Sequence, residues 1–187
     1  MAKLPPSAAR AISKWTLNFE LDDLIAAYHG ALGALKHSEA EVEPLLRQQL
    51  GLGPHDDLPD VDPDDPNDPL SLIFVQAVER RAQARRGSLI IRKTFLIALF
   101  HLWERSGKVR PSQKLGDRVK TNRLLVELEQ VANCAKHSRG RSAKAAFKSR
   151  PDLFPGAENE TRANERTLVI SEATFLEFVS AVRATAK

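Results

Sequence analysis

Residues 123–141 read RLLVELEQVANCAKHSRGR, and this stretch decides the fold class. With 100° between neighbours, Leu124, Leu125, Leu128, Val131, Ala132 and Ala135 fall within about a third of a helical wheel, the width of a stripe that faces a core. The other side is polar. Glu129, Asn133 and His137 follow one another at i, i+4 and i+8, with Gln130 and Lys136 alongside, so groups able to bind a proton, a hydroxyl or a phosphate share one face. Gly140 is expected to close the helix, and Arg139 and Arg141 make the adjoining loop basic.

Toward the N-terminus, residues 88–105 carry Leu89, Ile90, Ile91, Phe95, Leu96, Ile97, Leu99, Phe100, Leu102 and Trp103, which leave almost no polar face and predict a central core helix. His101 and Glu104 lie near its end. A helix this apolar shows polar groups only where it emerges or where function needs them, which makes Glu104 a supporting candidate. Gly87 and Ser88 are expected to break or kink the chain between this helix and one over residues 70–86, which Asp68 followed by Pro69 would start. Residues 54–69 hold too much proline and aspartate for regular structure and predict an acidic loop. Its aspartates lack the glycine and glutamate positions of an EF-hand. Farther back, Leu21, Leu24, Ile25, Tyr28, Leu32 and Leu35 predict a helix over 15–36 behind a loose lead-in, and Ser38 with Glu41 predicts a capped second helix over 39–50.

On the C-terminal side, Ser142 is expected to cap a short helix to Lys148, Leu153 and Phe154 to anchor a loop, and residues 167–171 to be extended. Ser171 then opens a final helix with Phe175, Phe178, Val179 and Val182 inward. The sum is an all-α helical bundle of about six or seven helices. Residues 1–69 would form N-terminal helices and the acidic Pro/Asp-rich loop, and residues 70–187 the core bundle, in one compact domain overall.

The 187 residues are 42% apolar and 28% charged, enough for one sizeable core. Cys134 is the single cysteine, which excludes an internal disulfide framework and a multi-cysteine zinc site and suits a reducing cytoplasm. His29 and His37 are spaced to share a helix side but have no third ligand nearby, so no metal and no cofactor are expected. Arg92 and Lys93 interrupt the most hydrophobic run, and no membrane association is expected. The net charge of +4 conceals an asymmetry. Residues 76–150 hold nineteen Lys/Arg against five Asp/Glu, whereas residues 39–68 hold ten Asp/Glu against Arg47 alone. One surface would therefore attract phosphates and another repel them.

The motif Asn133-Cys-Ala-Lys136-His137-Ser, followed by Gly140-Arg141-Ser142-Ala143 and by Arg150-Pro-Asp-Leu-Phe154, resembles a group of bacterial proteins of unassigned function. That group is in turn similar to the HEPN superfamily of helical bundles, whose members include RNA-cleaving toxins and antiviral defence proteins. The resemblance covers about residues 70–155. It implies a HEPN-like fold, a defence or toxin–antitoxin role, RNA as partner, and a homodimer in which two copies of this helix build a composite site. The superfamily signature is an arginine followed four to six residues later by histidine, often with asparagine directly after the arginine. Asn133 and His137 fit that signature, while Gln130, Val131 and Ala132 stand where the arginine would be.

Metal-independent RNA cleavage needs a base for the 2′-hydroxyl proton, an acid for the leaving oxygen and a cation for the phosphate, and histidine suits the first two tasks. His137 is the first candidate for acid or base, Asn133 for orienting a phosphate or the imidazole, and Lys136, Arg139 or Arg141 for the cation. Arg139, Arg141 and Arg123 are candidates for holding RNA phosphates, and Glu129 and Glu104 for support. Three readings stay open for Asn133 and His137: a nuclease site, a non-catalytic phosphate or RNA site, and a stitch between helix end and loop. A non-catalytic module that regulates a protein partner is the alternative to an RNA-acting protein. A DNA-binding regulator, drawing on the basic residues 110–123, ranks last for want of a helix-turn-helix pattern.

Overall fold

The computed structural model describes residues 5–62, 65, 68, 70–107, 115–137 and 140–186. It is all-helical, with no strand among the described residues. The elements are α1 (Pro6–Ala40), α2 (Val42–Gln49), α3 (Ser71–Arg105), α4 (Leu115–His137), α5 (Arg141–Ser149), a 3-10 turn (Pro151–Leu153) and α6 (Glu172–Thr185). The chain divides into two units, Met1–Tyr28 with Arg92–Lys187, and His29–Ile91. The boundary between these units falls within α1 and α3.

The first unit is built on α4. Leu125, Leu128, Val131 and Ala132 are fully buried, as their spacing predicts, but so are Cys134 and almost all of Glu127. The covered arc is wider than the apolar stripe because α4 packs against both α5 and α6. Ala143 and Ala146 are the buried positions of α5, and their small side chains let it lie close to its neighbours. Ser171 caps α6 by accepting from the Thr174 amide at 3.0 Å, and Phe175, Phe178, Val179 and Val182 face inward as expected. Phe175 meets Tyr28 of α1 at a centroid distance of 4.2 Å, and Tyr28 meets Phe95 of α3 edge-on at 5.6 Å. Residues 167–171 pair with no strand. Leu168 and Ile170 are buried there, and the Val169 amide donates to the Leu153 carbonyl at 2.8 Å.

Several boundaries differ from the sequence expectation, each for a local physical reason. The lead-in is helical from Pro6, because proline suits the first helical turn and Ala8, Ala9 and Ala11 favour helix. Helix α1 runs through Ser38 and is interrupted only at Glu41. Pro44 accounts for that position: it lacks an N–H to give to the Ala40 carbonyl and its ring crowds that oxygen. Gly87 breaks nothing, and α3 runs unbroken from Ser71 to Arg105. A Cβ at Gly87 would lie 3.2 Å from Leu35 Cδ1, so the glycine permits close approach of α1 and α3 within the second unit. Ile90 is 64% exposed, so the core section of α3 starts later than its hydrophobicity suggests and is centred on Leu96, Leu99, Phe100, Leu102 and Trp103. Gly140, with φ of 88°, occupies the cap position of α5, and the helix starts at Arg141 ahead of Ser142.

In the second unit Arg47, the lone cation of the acidic region, organises the segment after α2. Its Nε and Nη2 donate to Glu43 Oε1 at 3.2 and 3.1 Å, and its Nη1 donates to the carbonyls of Gly53 and Asp56 at 3.3 and 2.7 Å. The Asp56 carboxylate in turn accepts from the Gly53 amide at 2.6 Å. Glu43 and Glu39 also pair with Arg81 and Arg85 of α3. Arg47→Ala is expected to release the start of the acidic loop while leaving α2 helical. Hydrogen exchange should read this as faster exchange at residues 53–56, with local opening easier by about 1–3 kcal/mol for the charged-donor bonds lost.

Candidate functional site

The last turn of α4 carries Asn133, half-buried, with Lys136 and His137 exposed. Among the described residues the side chains of Asn133 and His137 have no hydrogen-bond or ion-pair partner, and loop residues 138 and 139, to which a stitch would run, lie outside them. Arg141 is exposed at the first position of α5, and α5 has no side-chain cap at its N-terminus. Arg139 lies outside the described residues. Glu129 is half-buried one turn before Asn133. Arg123 is fourteen positions before His137, about 21 Å along the helix axis, and is bound to Glu127. The structure thus places Asn133, Lys136 and His137 on the last two turns of α4, with Arg141 opening the next helix, and leaves Arg123 at a distance.

Two residues of α3 meet this end. Lys136 Nζ lies 3.3 Å from His101 Nε2, and His101 Nδ1 lies 3.3 Å from Glu104 Oε2. An ammonium offers only donors, so Nε2 must carry the lone pair and Nδ1 the proton that Glu104 accepts. The result is a chain of three polar side chains, Glu104, His101 and Lys136, across the C-terminal turns of α3 and α4. Glu104 and His101 are 46% and 49% exposed at their side chains, open to a ligand from solvent. Sequence reasoning singles out Glu104 and passes over His101. The available signal is their spacing of three at the end of the apolar run 95–103.

A second polar cluster is structural. Glu127, 5% exposed at its side chain, receives Arg123 Nε at 2.7 Å and faces Arg150 Nη1 at 3.5 Å. Arg150, 15% exposed, also binds Asp152 through Nη2 at 2.9 Å and Glu177 through Nη1 at 3.1 Å, and its guanidinium lies 5.7 Å from the Phe178 ring centre. These bonds tie α4, the 3-10 turn and α6 together. They explain the Arg150-Pro-x-Leu-Phe motif as a brace, with Leu153 and Phe154 buried beneath it. The hydrogen bonds from Arg150 hold the Asp152 carboxyl below the usual aspartate range.

Cys134 is fully buried, and burial pushes its thiol up to about 11, so at neutral pH it is a core residue and not a nucleophile. Val131 and Ala132, two of the three positions where the HEPN signature would carry arginine, are fully buried. No group of three His, Cys, Asp or Glu able to hold a metal ion occurs among the described residues. Among those residues no helix is long and apolar enough to cross a membrane. Comparison of the chain with protein families, with curated proteins and with solved structures found no match.

Proposed function

We propose that this chain is a HEPN-like protein of bacterial defence or toxin–antitoxin type that acts on RNA, as a metal-independent endoribonuclease whose working surface is the C-terminal end of α4. The observation that carries the reading is the placing of half-buried Asn133 and exposed Lys136 and His137 on the last two turns of α4, with Arg141 at the start of α5, whose N-terminus has no side-chain cap. His137 transfers a proton, Asn133 orients the phosphate or the imidazole, and Lys136 supplies the cation that the missing signature arginine would otherwise give. Helix register favours that replacement. An arginine at position 131 or 132 would lie in the core, whereas Lys136 is exposed and adjoins His137. A homodimer through this face, as the resemblance implies, brings two copies of His137 to one composite site.

The test is binding of a fluorescently labelled, 2′-O-methylated RNA at several salt concentrations. Lys136→Ala and Arg141→Ala should each weaken binding and reduce the slope of log affinity against log salt by about 0.7–0.9. Binding with unchanged affinity and slope in both variants would remove this end of α4 from the interface.

One observation favours a second reading, a non-catalytic module that regulates a protein partner. Ile12, Trp15 and Phe19 form a stripe at i, i+3 and i+7 on α1, exposed by 51%, 69% and 58%, with the Trp15 and Phe19 rings stacked at 5.9 Å. Exposed aromatic stripes of this kind mark protein contacts.

A further inference from the structure

We infer that His101 and Glu104 complete the α4 site within a single chain, with His101 Nε2 as the proton acceptor and His137 as the proton donor. The inference rests on the RNA-acting reading and puts an imidazole of the same chain in the place of the second His137 of a composite site. Three features of the geometry carry it. Glu104, at 3.3 Å from Nδ1, fixes the tautomer and turns the lone pair of Nε2 outward from α3. Lys136 occupies that lone pair at 3.3 Å, so the nitrogen is within reach of a side chain whose next neighbour along α4 is His137. His101 is anchored on its other side by the Phe100 ring, at a centroid distance of 5.6 Å. Among the described residues, the charged groups that meet the imidazole are Glu104 from its own helix and Lys136 from α4.

Lys136 is the mobile member, an exposed ammonium on a long stem held by one contact. A phosphodiester is a stronger partner for it than a neutral imidazole. When RNA binds, Lys136 moves to a non-bridging phosphate oxygen and Nε2 is released. The 2′-hydroxyl then gives its proton to Nε2, the 2′-oxygen bonds to phosphorus, the bond from phosphorus to the 5′-oxygen breaks, and His137 in its protonated form gives a proton to that leaving oxygen. The products are a 2′,3′-cyclic phosphate and a 5′-hydroxyl. Glu104 balances the charge on doubly protonated His101, and water resets both imidazoles. Lys136 thus guards the base in the free protein and binds substrate in the complex.

The experiment is nitrogen-15 NMR of the histidine rings of the full chain, titrated with a short 2′-O-methyl oligonucleotide that cannot be cleaved. Free protein should show His101 protonated on Nδ1, and Lys136→Met should shift the Nε2 resonance. The oligonucleotide should shift the rings of both His101 and His137. Cleavage of the corresponding unmodified RNA should fall about 100-fold or more in kcat for His101→Gln with little change in KM. A shift of His137 alone, or full activity in His101→Gln, overturns the inference and leaves the RNA-acting reading standing. Absence of any shift in either ring overturns both.

Discussion

Arg150→Ala is expected to destabilise the protein by about 3–5 kcal/mol, the cost of removing the buried one of two cations beside a buried carboxylate together with the ties to Asp152 and Glu177. The carboxylate is Glu127, 5% exposed at its side chain, which would keep only the solvent-facing Arg123. Glu177 and Asp152 lose the same guanidinium, so the contact between α4, the 3-10 turn and α6 loosens at once. For a chain of this size the melting temperature should fall by roughly 6–20 °C. Adding Glu127→Gln to the variant should return part of the loss, because the uncompensated charge is then gone. The effect has a pH signature. Asp152 titrates below its unfolded value because Arg150 bonds it, so its contribution is fully present above about pH 4 and is lost as pH falls through the lower folded value. The gap between wild type and Arg150→Ala should therefore narrow in acid. A gap of less than about 1 kcal/mol at neutral pH would show that the brace is ornamental.

Phe175→Ala should cost a comparable amount, about 3–5 kcal/mol, read as a lower urea midpoint at unchanged slope. Phe175 is fully buried and its ring contacts Tyr28, so truncation opens a cavity where α6 meets α1. Phe175→Leu, which fills more of the space, should cost less than half as much. Tyr28 is the single tyrosine of the chain and reports on the same site. Burial pushes its phenol above the ordinary value, so spectrophotometric titration of Phe175→Ala should move the tyrosine back down as water enters. For this group the stabilising contribution is complete below the unfolded pKa and lost as pH rises through the folded one. An unchanged titration would mean that the cavity stays dry.

The parts of the fold legible in the sequence are those in which local signals agree with packing. Helix α6 shows its cap at Ser171 and its inward face at Phe175, Phe178, Val179 and Val182, and the stripe of α4 shows four of its buried positions without help from the rest of the chain. Where tertiary contacts decide, the sequence is silent or misleading. Gly87 reads as a break because glycine disfavours helix, and only the proximity of Leu35 explains a helix that continues through it. Pro44 outweighs a plausible cap at Ser38 because a ring clash with the preceding turn is stronger than one side-chain bond.

The candidate site divides in the same way. Asn133, Lys136 and His137 are legible because they share one helix and its spacing. His101 is not, since it lies thirty-five residues from Lys136 and its relation to that residue is set by how α3 and α4 pack. Glu127 is hidden for a related reason. It sits outside the apolar stripe of α4, and one of its two partners, Arg150, comes from beyond that helix. The Arg150 motif is visible as a motif, but its work as a brace depends on Glu127 and Glu177, which are distant in sequence.

The most direct measurement is incubation of purified protein with total bacterial RNA in EDTA, comparing wild type with His137→Ala at matched circular dichroism, with end groups determined on the products. Wild type should cleave and leave 2′,3′-cyclic phosphate and 5′-hydroxyl ends, and the rate should be lower by about 10²–10⁴-fold in His137→Ala. Equal cleavage by both proteins, or none by either across a range of concentrations, would contradict this role of His137.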